Sequence, residues 1–390
     1  MFSKLFDSFL VHYLERFNDH CFTVKIGDNE YTIGDGESEF TVIVNRDIPK
    51  KDLLISAELA LGEAYMRKDI EIEGDLFKAL CVVLGHVGKD SINRKVLSSL
   101  FNAGLKKKDQ KQQVSSHYDL GNEFYKLWLD ETMSYSCAYF KHENDSLKDA
   151  QYQKVHHILD KLYLKEGMTL LDIGCGWGFL LIEAARKYGV KGYGCTLSEE
   201  QWKKGQERIK EYGLEGQVEI ELIDYRDVAA SGRTFDRIVS IGMLEHVGRP
   251  NFPLYMEDAS EMLKDGGLFL LHYISDPSEK ETSAWIRKYI FPGGCLPSLR
   301  EMVSLAYDYD MNVIDVESLR YHYYKTLMHW YNNFQGVREQ VEAKRGSEFV
   351  RMWDLYLCGC AAGFYIGNMD LHQILMTKGV TNELPLTRWY

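Results

Sequence analysis

An open parallel α/β sheet with helices on both faces, joined to a small N-terminal α+β domain, is the architecture expected of this 390-residue chain. Three observations point to it. From residue 165 onward, short apolar runs alternate with helical patterns in a strand–helix rhythm. One apolar run ends in an acid followed by a glycine-rich turn, Leu170-Leu171-Asp172-Ile173-Gly174-Cys175-Gly176-Trp177-Gly178. Residues 21–46, by contrast, alternate in short strand-like runs broken by Gly, Asp and Asn.

In chain order, Phe2, Leu5, Phe6, Phe9, Leu10, Tyr13, Leu14 and Phe17 fall at helical spacing and form one apolar face. That face either packs on its own domain or lies against lipid. Strands are expected at Phe22–Ile26, Tyr31–Ile33 and Phe40–Val44, and helices near Asp52–Arg67 and Asp75–Leu84. Residues 1–102 are therefore expected to form the first domain, and the polar, basic stretch 103–115 a linker. Lys106, Lys107, Lys108 and Lys111 there are either a solvated tether or a patch for lipid phosphate. Residues 116–390 are expected to form the second domain, with strands at Thr169–Ile173, Val190–Cys195, Val218–Ile223, Arg237–Ile241 and Leu268–Ile274. The tail adds Val313–Val316, two long helical stretches and a last apolar run, Leu371–Met376.

The net charge of −12 argues against a nucleic-acid partner, which would want a basic field. Eight scattered cysteines with no C-x-x-C pair argue against a zinc or disulfide framework and suit a reducing compartment. The first residues are interrupted by Lys4, Asp7, His12, Glu15 and Arg16, unlike a signal peptide, and no apolar run reaches the ~20 residues of a spanning helix. A cytoplasmic location is expected.

The glycine-rich turn lets the backbone bend tightly and approach a ligand. A dinucleotide fingerprint would place Gly at 179, where this chain has Phe, and a phosphate loop would need G-K-[ST], which is absent. The continuing strand ends are polar or aromatic: Gly194-Cys195-Thr196-Leu197-Ser198, then Asp224-Tyr225. Ligands of open α/β sheets bind outside those ends, and the set favours S-adenosylmethionine. Taken singly, Ser198 could be a helix cap and Asp224 a surface acid. The fourth strand ends at Met243-Leu244-Glu245-His246 and the fifth at Leu271-His272-Tyr273-Ile274. Glu245 is either a solvated loop acid or a group facing the cofactor's reactive carbon. His272 is either a packing residue or part of the same site.

These segments together resemble cyclopropane-fatty-acyl-phospholipid synthases and the related mycolic acid cyclopropane synthases. The resemblance rests on Ser116–Tyr125, Met133–Phe140, Asp172–Gly178, Leu197–Gln201, Asp224–Asp227, Asp236–Ser240, Glu245–Gly248, Leu271–Ile274 and His322–Leu327. It implies a class I S-adenosylmethionine-dependent methyltransferase sheet, of the Rossmann-like kind. It implies that a cis alkene takes the methyl group of S-adenosylmethionine and that the resulting carbocation loses a proton to bound bicarbonate as a cyclopropane ring closes. By motif position, bicarbonate would be held by Glu245, His272 and Tyr323 and by the backbone N–H groups of Cys137 and Ile274. Tyr323, and not its neighbour Tyr324, follows from counting back from Lys325-Thr326-Leu327, where the family pattern usually has Arg at the place of Lys325. Cofactor contacts would come from Tyr135, Ser136, Asp172, Gly174, Gly176, Thr196, Gln201, Asp224 and Tyr225. Glu245 beside an anion would require a shared proton.

The resemblance further implies unsaturated phospholipid as substrate, because an extra N-terminal domain marks the phospholipid-acting members. It implies peripheral contact with the inner face of the cell membrane, and a homodimer. Two other readings remain open: an acyl-chain methyltransferase that leaves a methyl branch, and a lipid-binding protein without turnover.

Overall fold

The computed structural model describes residues 11, 12, 14–87, 120–279 and 282–390. Most of the expected helix at 2–17, the linker 103–115 with its lysines, and Ser116–Asp119 lie outside the described residues. The chain divides into two compact units. The first gathers the N-terminal residues with Thr282–Pro292 and Leu327–Asn368, and the second holds the remainder. The sequence predicts one domain over residues 116–390, whereas two segments within that range belong to the first unit. Composition does not reveal that two later segments return to the first unit, because their apolar faces look like those of any core helix.

The first unit contains a four-stranded sheet: β1 (Phe22–Ile26), β2 (Asn29–Ile33), β3 (Phe40–Val44) and β4 (Ile70–Gly74), in the order β2-β1-β3-β4. β1 and β2 form a hairpin with Phe22 opposite Ile33 and Ile26 opposite Asn29. Gly27 supplies the positive φ, +59°, that the tight turn requires. β3 lies parallel to β1 and antiparallel to β4. The sequence does not predict β4, because it is a five-residue edge strand in which Glu71 and Glu73 interrupt the apolar pattern. Phe22, Val24, Ile26, Phe40 and Val44 pack against Ala60 and Ala64 of the helix Lys50–Met66 and Ala79 and Val82 of the helix Leu76–Val87.

The long helix Ser347–Tyr365 belongs to this unit. Its buried Arg351 donates through Nε to the Tyr65 carbonyl at 2.6 Å and through Nη2 to the Ile70 carbonyl at 3.0 Å. The guanidinium carbon also lies 3.9 Å from the centroid of the Tyr65 ring.

The second unit holds a seven-stranded sheet: β5 (Thr169–Ile173), β6 (Lys191–Thr196), β7 (Val218–Leu222), β8 (Phe235–Ile241), β9 (Leu263–Ser275), β10 (Met311–Ser318) and β11 (Asp370–Lys378). Their order is β10-β11-β9-β8-β5-β6-β7. β5 to β9 are parallel neighbours, whereas β11 runs antiparallel to both β9 and β10. The expected parallel sheet thus carries one reversed strand. The run Leu371–Met376 is buried between its neighbours, and its apolar content carries no information about direction. One face buries Leu171, Ile173, Phe269 and Leu271 against the helices Phe252–Met262 and Leu299–Asp308. The other buries Leu170, Val239, Leu268 and Leu270 against the helices Leu147–Lys161 and Phe179–Tyr188. The two faces define the α/β architecture. The chain grows outward in both directions from β5, and that switch of direction opens a crevice at its carboxyl end.

Replacing Arg351 with Leu would leave the Tyr65 and Ile70 carbonyls without their buried donor. We predict a loss of about 2–4 kcal/mol in urea unfolding. A change within about 0.5 kcal/mol would contradict this account of the first unit's packing.

Candidate active site

The carboxyl end of β5 opens onto a cleft of about 1150 Å³, its open mouth included. Gly174 and Gly176 have φ of +81° and +55°, the left-handed region that side chains resist. A Cβ on Gly176 would meet nothing within 4 Å, so its bare backbone faces open space. Asp172 is buried and lines the cleft. Burial raises its carboxyl to about 7, although the Lys154 ammonium works against that shift. Its Oδ1 is buried without a partner among the described residues. Bare backbone beside an unpartnered acid fits a ligand that carries an ammonium group and a sulfonium.

All nine residues expected to contact the cofactor line this cleft: Tyr135, Ser136, Asp172, Gly174, Gly176, Thr196, Gln201, Asp224 and Tyr225. The Thr196 hydroxyl donates to Gln201 Oε1 at 3.0 Å, which fixes two of them as a pair. Ser198 has the capping role considered for it, accepting from the Gln201 N–H at 3.3 Å. Asp224 caps the helix Tyr225–Ala230 and also receives Arg226, with Nη2 2.7 Å from Oδ2.

Tyr135 and Ser136 line the cleft from a strap, residues 131–140, that precedes the sheet in the chain. The strap is pinned by side chains it does not itself supply. Gln151 donates to the Ser136 carbonyl at 3.0 Å, and Arg208 donates to the carbonyls of Thr132 and Glu131. The Ala138 N–H reaches Thr326 Oγ1 at 3.0 Å, and the Phe140 N–H reaches His322 Nδ1 at 3.0 Å. Met133, with φ of +58°, holds a strained turn where the strap lines the cleft.

The catalytic candidates lie behind this cleft. None lines it, but Cys137 follows Ser136 and Glu245 precedes His246, both of which do. The Ile274 N–H donates to Glu245 Oε1 at 2.7 Å. Ile274 pairs with Leu371 across β9 and β11, and the Leu371 carbonyl accepts the Leu319 N–H at 2.8 Å. Leu319 accepts in turn from the Tyr323 N–H at 3.0 Å and, more loosely, from the Cys137 thiol at 3.9 Å. One run of contacts thus ties together Glu245, Ile274, Cys137 and the backbone of Tyr323. His272 stands two residues before Ile274 on the same strand.

Glu245 Oε2 and His272 Nε2 are both buried with no partner among the described residues. Burial raises the Glu245 carboxyl to about 7, while the Ile274 N–H opposes the shift. Burial, together with the nearby Lys154 and Lys161 charges, holds His272 well below the ordinary imidazole range. Burial also drives the Cys137 thiol far above its usual range, so any role for this residue falls to its backbone.

Two further residues of the site are not predicted by the sequence motifs. Lys154 is buried and donates to Ser136 Oγ at 3.0 Å. Burial lowers it to about 8, against the pull of Asp130, Cys137 and Asp172. His246, partly exposed on the cleft wall, is held at about 4 by the protein around it. A signal for Lys154 was present: Gln151, Lys154, His157 and Lys161 form a polar stripe at helical spacing, on a helix whose apolar face is Val155, Ile158, Leu159 and Leu162.

The titration of Glu245 has a consequence for stability. Below about pH 4.5 the carboxyl is protonated folded and unfolded, and its burial carries no charge penalty. Between about pH 4.5 and 7 the unfolded chain gives up this proton while the folded chain keeps it, so stability falls across that window and levels off above it. Glu245→Gln keeps the acceptor for Ile274 without the charge. We predict that it stabilises the ligand-free protein by about 2–3 kcal/mol near pH 8.5 and changes it little near pH 4. Equal effects at both pH values would contradict the assignment.

Comparison with known proteins agrees with this geometry. Residues 105–374 match the mycolic acid cyclopropane synthetase family, and residues 9–89 match a domain of unknown function. The chain is 40% identical over 346 residues to the cyclopropane-fatty-acyl-phospholipid synthase of Escherichia coli strain K12, covering 87% of this chain and 88% of that one. It is 37% identical over 380 residues to a probable fatty acid methyltransferase of Pseudomonas putida, with 94% of each chain covered. Among solved structures, a mycolic acid cyclopropane synthase in complex with SAH and CTAB is similar with a TM-score of 0.65 and 35% identity. That similarity covers 69% of this chain and 98% of the other. The cyclopropane synthase MmaA2 of Mycobacterium tuberculosis gives the same TM-score and coverage at 32% identity. The chain belongs to the mycolic acid cyclopropane synthetase family and is an S-adenosylmethionine-dependent methyltransferase.

Proposed function

We propose that this enzyme transfers a methylene unit from S-adenosylmethionine to the cis double bond of an unsaturated phospholipid acyl chain, closing a cyclopropane ring with bound bicarbonate as the base. The observation that carries this reading is the pair of buried atoms Glu245 Oε2 and His272 Nε2, which have no partner among the described residues. A carboxyl that keeps its proton up to about pH 7 can donate a hydrogen bond to an anion, as can a neutral imidazole. A small anion is therefore a suited occupant, and the proton on Glu245 removes the repulsion that two negative charges would suffer.

S-adenosylmethionine would supply an electrophilic methyl group whose bond to sulfur breaks as the alkene carbon bonds to it, releasing S-adenosylhomocysteine. The resulting substrate cation must lose one proton as the second ring bond forms. The work of the protein is positional. Tyr135 and Ser136 would cover the reacting carbon and exclude water. Glu245 and His272 would hold the base within reach of that proton, with the Tyr323 hydroxyl and the Cys137 N–H completing its contacts. The Ile274 N–H is engaged with Glu245, so it would contribute by sharing.

Phospholipid as substrate is supported by coverage: the Escherichia coli phospholipid synthase matches 87% of the chain, and the mycolate-acting synthases about two thirds. Residues 1 to about 100 would make peripheral contact with the inner face of the membrane, in a homodimer. Among the described residues no helix is long and apolar enough to cross a bilayer. A second reading, methyl branching of the acyl chain, is favoured by the name of the Pseudomonas putida relative.

The test is to incubate the purified protein with S-adenosylmethionine and vesicles of cis-unsaturated phospholipid, with and without bicarbonate, and to identify the fatty acids by gas chromatography and mass spectrometry. The expected product gains one CH2 and resists mild hydrogenation. Turnover should fall when bicarbonate is removed, and about 10²-fold in Glu245→Gln. A product that takes up hydrogen would favour the second reading, and turnover indifferent to bicarbonate would sink the assigned base.

A further inference from the structure

The hydrogen bonds behind His272 have a fixed direction. Gln373 on β11 stands directly opposite His272 on β9. Its Nε2 lies 3.1 Å from His272 Nδ1, and its Oε1 lies 2.9 Å from Lys161 Nζ. An ammonium has only hydrogens to offer, so Lys161 must bond the amide oxygen and the amide NH2 must face the imidazole. Lys161, 1% exposed, is paired with Glu317, which also accepts from His157 Nε2 at 2.7 Å. Burial alone would raise Glu317, yet hydrogen bonds from His157 and Lys161 and their charges pull it down to about 2. The carboxylate therefore stays ionised opposite the Lys161 ammonium.

The amide NH2 can bond Nδ1 only if Nδ1 carries a lone pair. Surrounded by apolar strand residues and facing Lys154 and Lys161, His272 is neutral and has one N–H to place. It must sit on Nε2, the buried atom without a partner among the described residues.

We propose that Lys161 and Gln373 are positioning residues that lock His272 in its Nε2–H tautomer, so that the ring meets the reacting centre as a hydrogen-bond donor to an anion and not as a proton acceptor. The identity of that anion rests on the function proposed above. The tautomer does not.

The test uses the full-length protein labelled with 15N-histidine. Two-bond 15N–1H correlation spectra read the protonation of each ring nitrogen, and His272→Gln assigns the signals. The wild type is expected to carry its proton on Nε2. Gln373→Glu offers oxygen to both Lys161 and the imidazole, so the proton should move to Nδ1. Turnover should then fall at least about tenfold, and the bicarbonate concentration for half-maximal rate should rise by a similar factor, with S-adenosylhomocysteine affinity changed less than about twofold. Lys161→Met frees the amide to rotate and should give a mixture of tautomers, which keeps the test open should Gln373→Glu fail to fold. A wild-type proton on Nδ1, or an unchanged tautomer in both variants, overturns the proposal. A switched tautomer with unchanged turnover overturns its catalytic half. An Nε2 proton together with turnover indifferent to bicarbonate would refute the base assigned above and leave the tautomer lock standing.

Discussion

The reversed strand β11, inserted between β9 and β10, is the constraint on which the site depends. Its pairing with β9 places Gln373 against His272 and Leu371 against Ile274. Through the Leu371 carbonyl it also fixes Leu319, and with it the first turn of the helix Arg320–Arg345 that carries Tyr323. A parallel strand in the same place would offer its neighbours a different register and a slanted ladder, and this set of contacts would not form. The edge that carries His272 and Ile274 is thus built by a segment about a hundred residues away in sequence from the strand it orients.

The same edge concentrates buried charge to an extent that stability alone would not select. Lys154, Lys161, Asp172, Glu245 and His272 are all nearly inaccessible to water. The protein handles them in two ways. Glu317 and Lys161 form an ionised pair with further hydrogen bonds, the arrangement in which a buried charge is tolerated. Among the described residues Asp172, Glu245 and His272 have no such partner, and burial drives each toward its neutral form. Three neutralised groups with open hydrogen-bonding atoms, all near the carboxyl ends of adjacent strands, are a site organised for a ligand at the expense of the empty protein.

Much of this was legible in the sequence. The strand ending in Asp172 and the glycine turn after it announce the cleft, because only a few residue types permit a backbone to turn at φ near +60 to +80° and leave room beside it. Seven of the nine residues expected to contact the cofactor are near that turn or at the ends of the next strands, where chain order and space agree, whereas Tyr135 and Ser136 lie on a segment before the sheet. The parts that could not be read depend on long-range pairing. The direction of β11 is invisible in an apolar run, β4 hides behind alternating acids, and Lys154 and Lys161 look like solvated helix residues until a strap and a strand cover them. The discontinuous first unit belongs to the same class, since nothing local in Leu327–Asn368 says which core it will join.

The claim at the centre of this account is that a small anion sits between Glu245 and His272 behind the cofactor cleft. A crystal structure of the protein grown with S-adenosylhomocysteine and bicarbonate tests it most directly. The account predicts planar triangular density within hydrogen-bonding distance of both Glu245 Oε2 and His272 Nε2. Density for a direct Glu245–His272 hydrogen bond, or a bicarbonate bound elsewhere with that space closed, would contradict it.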